Sequence, residues 1–122
     1  VENIYMLKTG KLLQASILAP TFFREISKKD LLALNNFSES IGIAFQIQDD
    51  LIEAEGDLKT IGKSIESDKS KNKAAYPLLF GLDASKDRVE RLYQSASEAL
   101  EIFEGKSRPL REMAEIIIHR KF

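Results

Sequence analysis

Residues 27–56, SKKDLLALNNFSESIGIAFQIQDDLIEAEG, decide how the rest of the chain is read. Leu31, Leu34, Phe37, Ile41, Ala44, Phe45, Leu51 and Ile52 recur at three- and four-residue spacing, the apolar stripe of a single long helix. Ser27 with Asp30 three positions on marks its start, and Gly56 is its expected end. Outward from it, Ile4, Leu7, Leu12, Ala15 and Leu18 define a helix over Ile4 to Leu18 that stops before Pro20. Downstream, Asp57 to Lys73 lacks apolar periodicity and reads as a long polar loop, a length usually functional or disordered. A short helix over Ala74 to Leu82 surrounds Tyr76 and Pro77, and another over Asp87 to Phe103 carries Val89, Leu92, Tyr93, Ala96, Leu100 and Phe103. Pro109 opens the last, whose apolar face is Leu110, Met113, Ile116 and Ile117. Nothing alternates with period two and nothing repeats, so the fold class is all-α.

The 122 residues allow one domain or part of one, and the chain opens at Val1 rather than Met. With 43% hydrophobic and 30% charged residues it can bury a core. Eighteen Lys+Arg against nineteen Asp+Glu give a net charge of −1, which offers no global case for nucleic acid. No apolar run reaches the roughly 20 residues that span a bilayer and no leader opens the chain, so stable membrane insertion is not expected and a cytoplasmic location is. Without cysteine there is no disulfide, thiolate metal site or cysteine nucleophile, and His119 is the lone histidine. It suits a surface position in a last turn, where positive charge complements the helix dipole.

The chemistry concentrates at the end of the long helix. Asp49, Asp50, Glu53, Glu55 and Asp57 place five acids within nine residues. Asp49 and Glu53 share a face, with Asp50 one step round and Gln46 one turn earlier, so three carboxylates could converge. Their mutual repulsion, together with the negative end of the helix dipole, breaks two local rules at once. A hard divalent cation would relieve both, and an all-oxygen donor set favours Mg²⁺ or Ca²⁺. A solvated acidic helix end has the same spacing. Lys59, Lys63, Lys69, Lys71 and Lys73 follow directly, and Mg²⁺ with lysines is the combination that a diphosphate needs; each lysine taken singly is equally a surface residue. Lys8-Thr9-Gly10 interrupts the first helix, which calls for close approach of a ligand or another helix unless the glycine is simply tolerated. Gln46, on the apolar face, fits a hydrogen-bonded core amide as well as a ligand.

KTG at 8–10, SIGIAFQIQDDLIEAEGD at 40–57, IGKSIESDKSKNKAAYP at 61–77 and the basic C-terminus occur in the order and spacing of the trans-polyprenyl diphosphate synthases. The likeness is to the bacterial farnesyl/geranylgeranyl type and covers only the C-terminal part of that family. It implies the C-terminal part of an isoprenoid-synthase-type helical bundle, with residues 1–122 as one portion of a single domain. Asp49, Asp50 and Glu53 then match the second aspartate-rich motif, which holds Mg²⁺ against the allylic diphosphate. Lys8, Thr9, Gln46, Lys63 and Lys73 match positions that contact that diphosphate or its metal shell. Arg120 resembles residues that hold isopentenyl diphosphate, and Phe45 accompanies the substrate cavity. The implied reaction condenses the two diphosphates head to tail.

Glu53 stands where the family's motif has aspartate and can still reach a metal, while Glu66 and Ala75 replace a usual Gly and Thr. The family's first aspartate-rich motif has no counterpart here, so the chain is expected not to turn over substrate alone. A non-catalytic paralogue or regulatory subunit of the same fold is the competing reading. The apolar stripes carrying Leu34, Phe37, Ile41, Phe45, Leu92, Leu100 and Ile117 are expected to need outside cover, from a second copy in a homodimer or from the N-terminal part of the same enzyme.

Overall fold

The computed structural model describes residues 1–59 and 75–120, the side chains of 57–59 excepted, and contains no strand among them. Helix α1 (Glu2–Tyr5) passes through one wide turn of π type, Met6–Gly10, into α2 (Lys11–Leu18). Pro20 lies in a tighter 3₁₀ segment, Ala19–Phe23, after which the backbone turns extended at Arg24. Helix α3 (Lys28–Lys59) is the long one, about 48 Å at 1.5 Å per residue. Its start is the expected one, with the Asp30 backbone N–H donating to Ser27 Oγ at 3.1 Å. Its end is not, because the helix runs through Gly56 to Lys59. Glycine stops a helix by taking a left-handed conformation, and among the described glycines only Gly81 has positive φ, at 86°.

The positive φ at Gly81 separates α4 (Ala75–Phe80) from α5 (Leu82–Ala99), so α5 begins five residues before the expected Asp87. After a 3₁₀ segment, Glu101–Ser107, helix α6 (Arg108–His119) carries Pro109 in its first turn. The buried residues of α6 are Ala114 and Ile118, whereas Ile116 is exposed. Three consecutive isoleucines leave the register open to the sequence, since one step rotates the face by about 100°.

The core forms where Phe37, Ile41, Ala44, Ile47 and Leu51 of α3 meet Val89, Leu92 and Ala96 of α5, with Leu100 just beyond it. Tyr5, Tyr76, Ala114 and Ile118 close its ends. Phe37, Ile41, Leu92 and Leu100 are thus buried within the chain, without the outside cover expected of them, while Leu34, Phe45 and Ile117 are half-buried. A different apolar set faces outward: Ile4, Leu7 and Leu12, then Phe22 and Phe23 at 86% and 87% exposure, and Leu78, Leu79 and Phe80. No described helix is long and apolar enough to cross a membrane.

Candidate functional site

The α1–α2 path runs antiparallel to α3, and three contacts fix the register between them. Tyr5 meets Asp50, Gly10 meets Gly42, and Gln14 meets Asn35, its Nε2 donating to Asn35 Oδ1 at 2.6 Å. At the middle contact the backbones nearly touch, because a Cβ on Gly42 would stand 2.8 Å from Gly10 Cα. Of the two reasons offered for the break at Lys8-Thr9-Gly10, the close approach of another helix is therefore present. The π turn brings exposed Lys8 and half-buried Thr9 alongside α3, between the Gly42 and Asp50 contacts. Gln14, itself buried, accepts from Lys11 Nζ at 3.1 Å and so answers a polar group in the interface with a polar partner.

At the acidic end of α3, neighbouring carboxylates face opposite ways. Asp50 is three residues after Ile47 and four after Gln46, which puts it on the core face, and all three are buried. Its Oδ2 accepts from the Tyr5 hydroxyl and from the Tyr76 backbone N–H at 3.2 Å, and that same N–H lies 3.0 Å from the Tyr5 oxygen. Burial, then the hydrogen bond to Asp50, pushes the Tyr5 phenol far above its ordinary value. Asp49, one step round, has its side chain 58% exposed. Glu53, a turn further, is half-buried.

Arg120 joins this end from the far terminus of α6. Its guanidinium lies 4.2 Å from the centre of the Phe45 ring, its Nη2 donates to the Phe45 carbonyl at 3.1 Å and reaches Asp49 Oδ1 at 3.4 Å. Gln48 Nε2 holds the Arg120 carbonyl at 2.9 Å. Arg120 Nε is buried with no hydrogen-bond partner among the described residues. His119 is on the surface, edge-on to Tyr93 at 5.6 Å.

Two ion pairs tie α5 to α1 and to α3. Arg88 grips Glu2 with Nε at 2.6 Å and Nη2 at 3.0 Å, and the Tyr76 hydroxyl donates to the same carboxylate at 3.3 Å. The Arg88 hydrogen bond holds the Glu2 carboxyl below its usual range, against the opposing effect of burial. Lys86 pairs with Glu55 at 2.7 Å.

Of the site residues expected from sequence, Phe45, Asp49 and Arg120 come together, Asp50 and Gln46 turn to the core beside them, and Lys8 and Thr9 flank the α3 crossing. Lys63 and Lys73, like Glu66, lie outside the described residues. The expected convergence of three carboxylates is not seen: among the described residues no three Asp, Glu or His side chains gather as a metal site. The inward turn of Asp50 is the reason. The donor set still suits a hard cation, because Mg²⁺ needs only one or two protein carboxylates and takes the rest from water and phosphate. Sequence reasoning missed Tyr5 and gave Tyr76 only as part of a short helix, although an aspartate four residues after Gln46 and three after Ile47 was a signal that a buried donor had to exist.

A polyprenyl synthetase family model matches residues 2–105. The chain is 40% identical over 126 aligned residues to farnesyl diphosphate synthase of Haemophilus influenzae, covering 99% of this chain and 41% of that protein. It is 34% identical to geranylgeranyl diphosphate synthase of Cyanophora paradoxa, covering 96% and 39%. A crystal structure described as a farnesyl-diphosphate synthase from Marinomonas sp. MED121 superposes with a TM-score of 0.77 at 34% identity, covering 96% and 38%. The chain thus spans about two fifths of the length of the curated relatives it matches.

Proposed function

The chain belongs to the polyprenyl synthetase family, and from that premise we propose that it is the diphosphate-binding part of a prenyltransferase. In this reading the intact protein condenses an allylic diphosphate with isopentenyl diphosphate to give farnesyl or geranylgeranyl diphosphate, in the cytoplasm. The observation that carries it is the meeting of Arg120, Phe45 and Asp49 at the acidic end of α3. Opposed charges held together over an aromatic face suit a metal-bound anion with an apolar tail.

Asp49, with Glu53 a turn further on, would hold Mg²⁺, which supplies positive charge to the oxygens of the departing diphosphate, while Asp50 stays fixed in the core behind them. Lys8, beside Thr9 in the π turn, offers an ammonium to the same anion, as would Lys63 and Lys73. As the allylic C–O bond ionises, negative charge grows on the diphosphate, and groups already fixed around it stabilise that charge more than they stabilise the bound substrate. The isopentenyl double bond then attacks the allylic carbon and a proton leaves. Arg120 would hold the second diphosphate while Phe45 keeps water from the cation. No side-chain nucleophile is needed, in keeping with a chain that has no cysteine.

The remainder of the protein, and a second copy in a homodimer, would cover the outward apolar set around Leu7, Leu12, Phe22 and Phe23. Calorimetry tests the site directly. Mg²⁺ should bind weakly alone and more tightly with inorganic pyrophosphate. Asp49→Ala should lose that gain, and Glu55→Ala, whose carboxylate pairs with Lys86 at the surface, should keep it. Equal Mg²⁺ affinity with and without pyrophosphate would remove the proposal.

A further inference from the structure

Three buried polar groups from three separate segments meet at one point behind Asp49: the Tyr5 hydroxyl from α1, the Asp50 carboxylate from α3 and the Tyr76 backbone N–H from α4. Each residue is more than nine-tenths buried. A carboxylate in such surroundings needs fixed donors, and here one phenol and one backbone amide provide them. The phenol is the pivotal member, since its oxygen donates to Asp50 and accepts from Tyr76. The Tyr5 ring also packs tilted against Tyr76, centres 6.2 Å apart, so Phe at position 5 would keep the packing and lose only the hydroxyl.

We propose that Tyr5 is a positioning residue for the metal–diphosphate site: its hydroxyl locks the Asp50 carboxylate and, through it, the rotation of α3 that presents Asp49 to solvent. The inference rests on the reading of Asp49 as a metal ligand. Groups that hydrogen-bond to a site's carboxylates set their orientation, and losing one typically lowers metal affinity about 10- to 100-fold. A packing role alone would lower stability and leave affinity in place.

The test titrates Mg²⁺ in the presence of inorganic pyrophosphate into the wild-type chain, Tyr5→Phe, Asp49→Ala and Glu2→Gln, with a thermal melt of each. Glu2→Gln is the structural comparison, because it weakens the brace to Arg88 on the same helix without touching Asp50. Tyr5→Phe should bind about tenfold more weakly, while Glu2→Gln melts lower and binds like wild type. Wild-type affinity in Tyr5→Phe, or an equal loss in Glu2→Gln, overturns the inference while leaving the Asp49 reading intact. If the wild type fails to bind, or Asp49→Ala binds as well as it does, the Asp49 reading falls and this inference with it. Should Tyr5→Phe not fold, ¹³Cζ-tyrosine NMR of the wild type decides: the Tyr5 resonance should move when Mg²⁺ and pyrophosphate are added, and a static resonance refutes the positioning role.

Discussion

The Gly10–Gly42 contact makes a sharp demand on stability, because α3 carries two glycines in opposite circumstances. Alanine at Gly42 would put a Cβ 2.8 Å from Gly10 Cα, a backbone atom that can move only if the whole α1–α2 path moves. Alanine at Gly56 would meet nothing within 4 Å. Both substitutions gain the helix propensity that glycine lacks, worth about 0.5–1 kcal/mol. At Gly56 that gain stands alone. At Gly42 it is set against overpacking of about 2–3 kcal/mol, the upper part of the usual range because the clash is with backbone, which leaves a net loss of about 1–2.5 kcal/mol. For a chain of 122 residues, 1 kcal/mol moves the melting temperature by about 3–5 °C. Gly56→Ala should therefore melt about 2–5 °C higher and Gly42→Ala about 3–12 °C lower, read by circular dichroism and checked by urea unfolding. Because the same crossing sets Lys8 and Thr9 alongside α3, Gly42→Ala should also weaken Mg²⁺–pyrophosphate binding. If the two variants shift in the same direction, or Gly42→Ala melts with the wild type, the close approach is not a constraint on the fold.

The Glu2–Arg88 brace should weaken in acid. A folded-state value below the ordinary carboxylate value of about 4.5 means that its stabilisation is present above that pH and is lost as pH falls through the lowered value. Glu2→Gln should flatten this part of the stability profile in denaturant melts, and an unchanged acid limb would count against the brace. Tyr5 predicts the opposite limb: its phenol is raised, so its contribution is intact below about pH 10 and is lost as pH rises through the folded-state value. Absorbance titration of the phenolates should show one fewer late-ionising tyrosine in Tyr5→Phe. Arg120→Ala removes the stacking on Phe45 and the bond to its carbonyl, a loss of about 1–2 kcal/mol in urea unfolding; no measurable change would mean that the C-terminal contact is not formed in solution.

What the sequence revealed and what it hid divides along the range of the contacts. The cap at Ser27, the stripe from Phe37 to Leu51 and the helical course of the chain are local, and three- and four-residue spacing displays them directly. The break at Lys8-Thr9-Gly10 was visible as a fault, but its cause, Gly42, is 32 positions away and no local pattern names it. In α6 the run Ile116-Ile117-Ile118 presents apolar side chains over nearly the full circumference, so only the packing against the rest of the core could choose Ile118 over Ile116. Spacing shows that the three carboxylates share a helix end and could converge; among the described residues they do not gather. Spacing puts Asp50 one step off Asp49; what turns it inward is Tyr5, 45 residues earlier.

The split between the two aspartates also orders the energetics of the site. Among the described residues Asp49 is held by a 3.4 Å contact to Arg120 at a largely exposed position, an interaction of about 0–1 kcal/mol. Arg120 does not depend on it, being held by the Phe45 ring and carbonyl and by Gln48 on its own carbonyl. Asp49 can therefore exchange Arg120 for a metal ion at little cost, and without undoing the docking of the C-terminus on α3. Asp50 is in the reverse position: releasing it would strand a buried carboxylate and leave the buried Tyr5 hydroxyl without its acceptor, at about 1–3 kcal/mol for each unsatisfied group. One carboxylate is poised to change partners because its neighbour cannot. That asymmetry keeps the repulsion at the acidic end of α3 outside the core, where a cation can answer it.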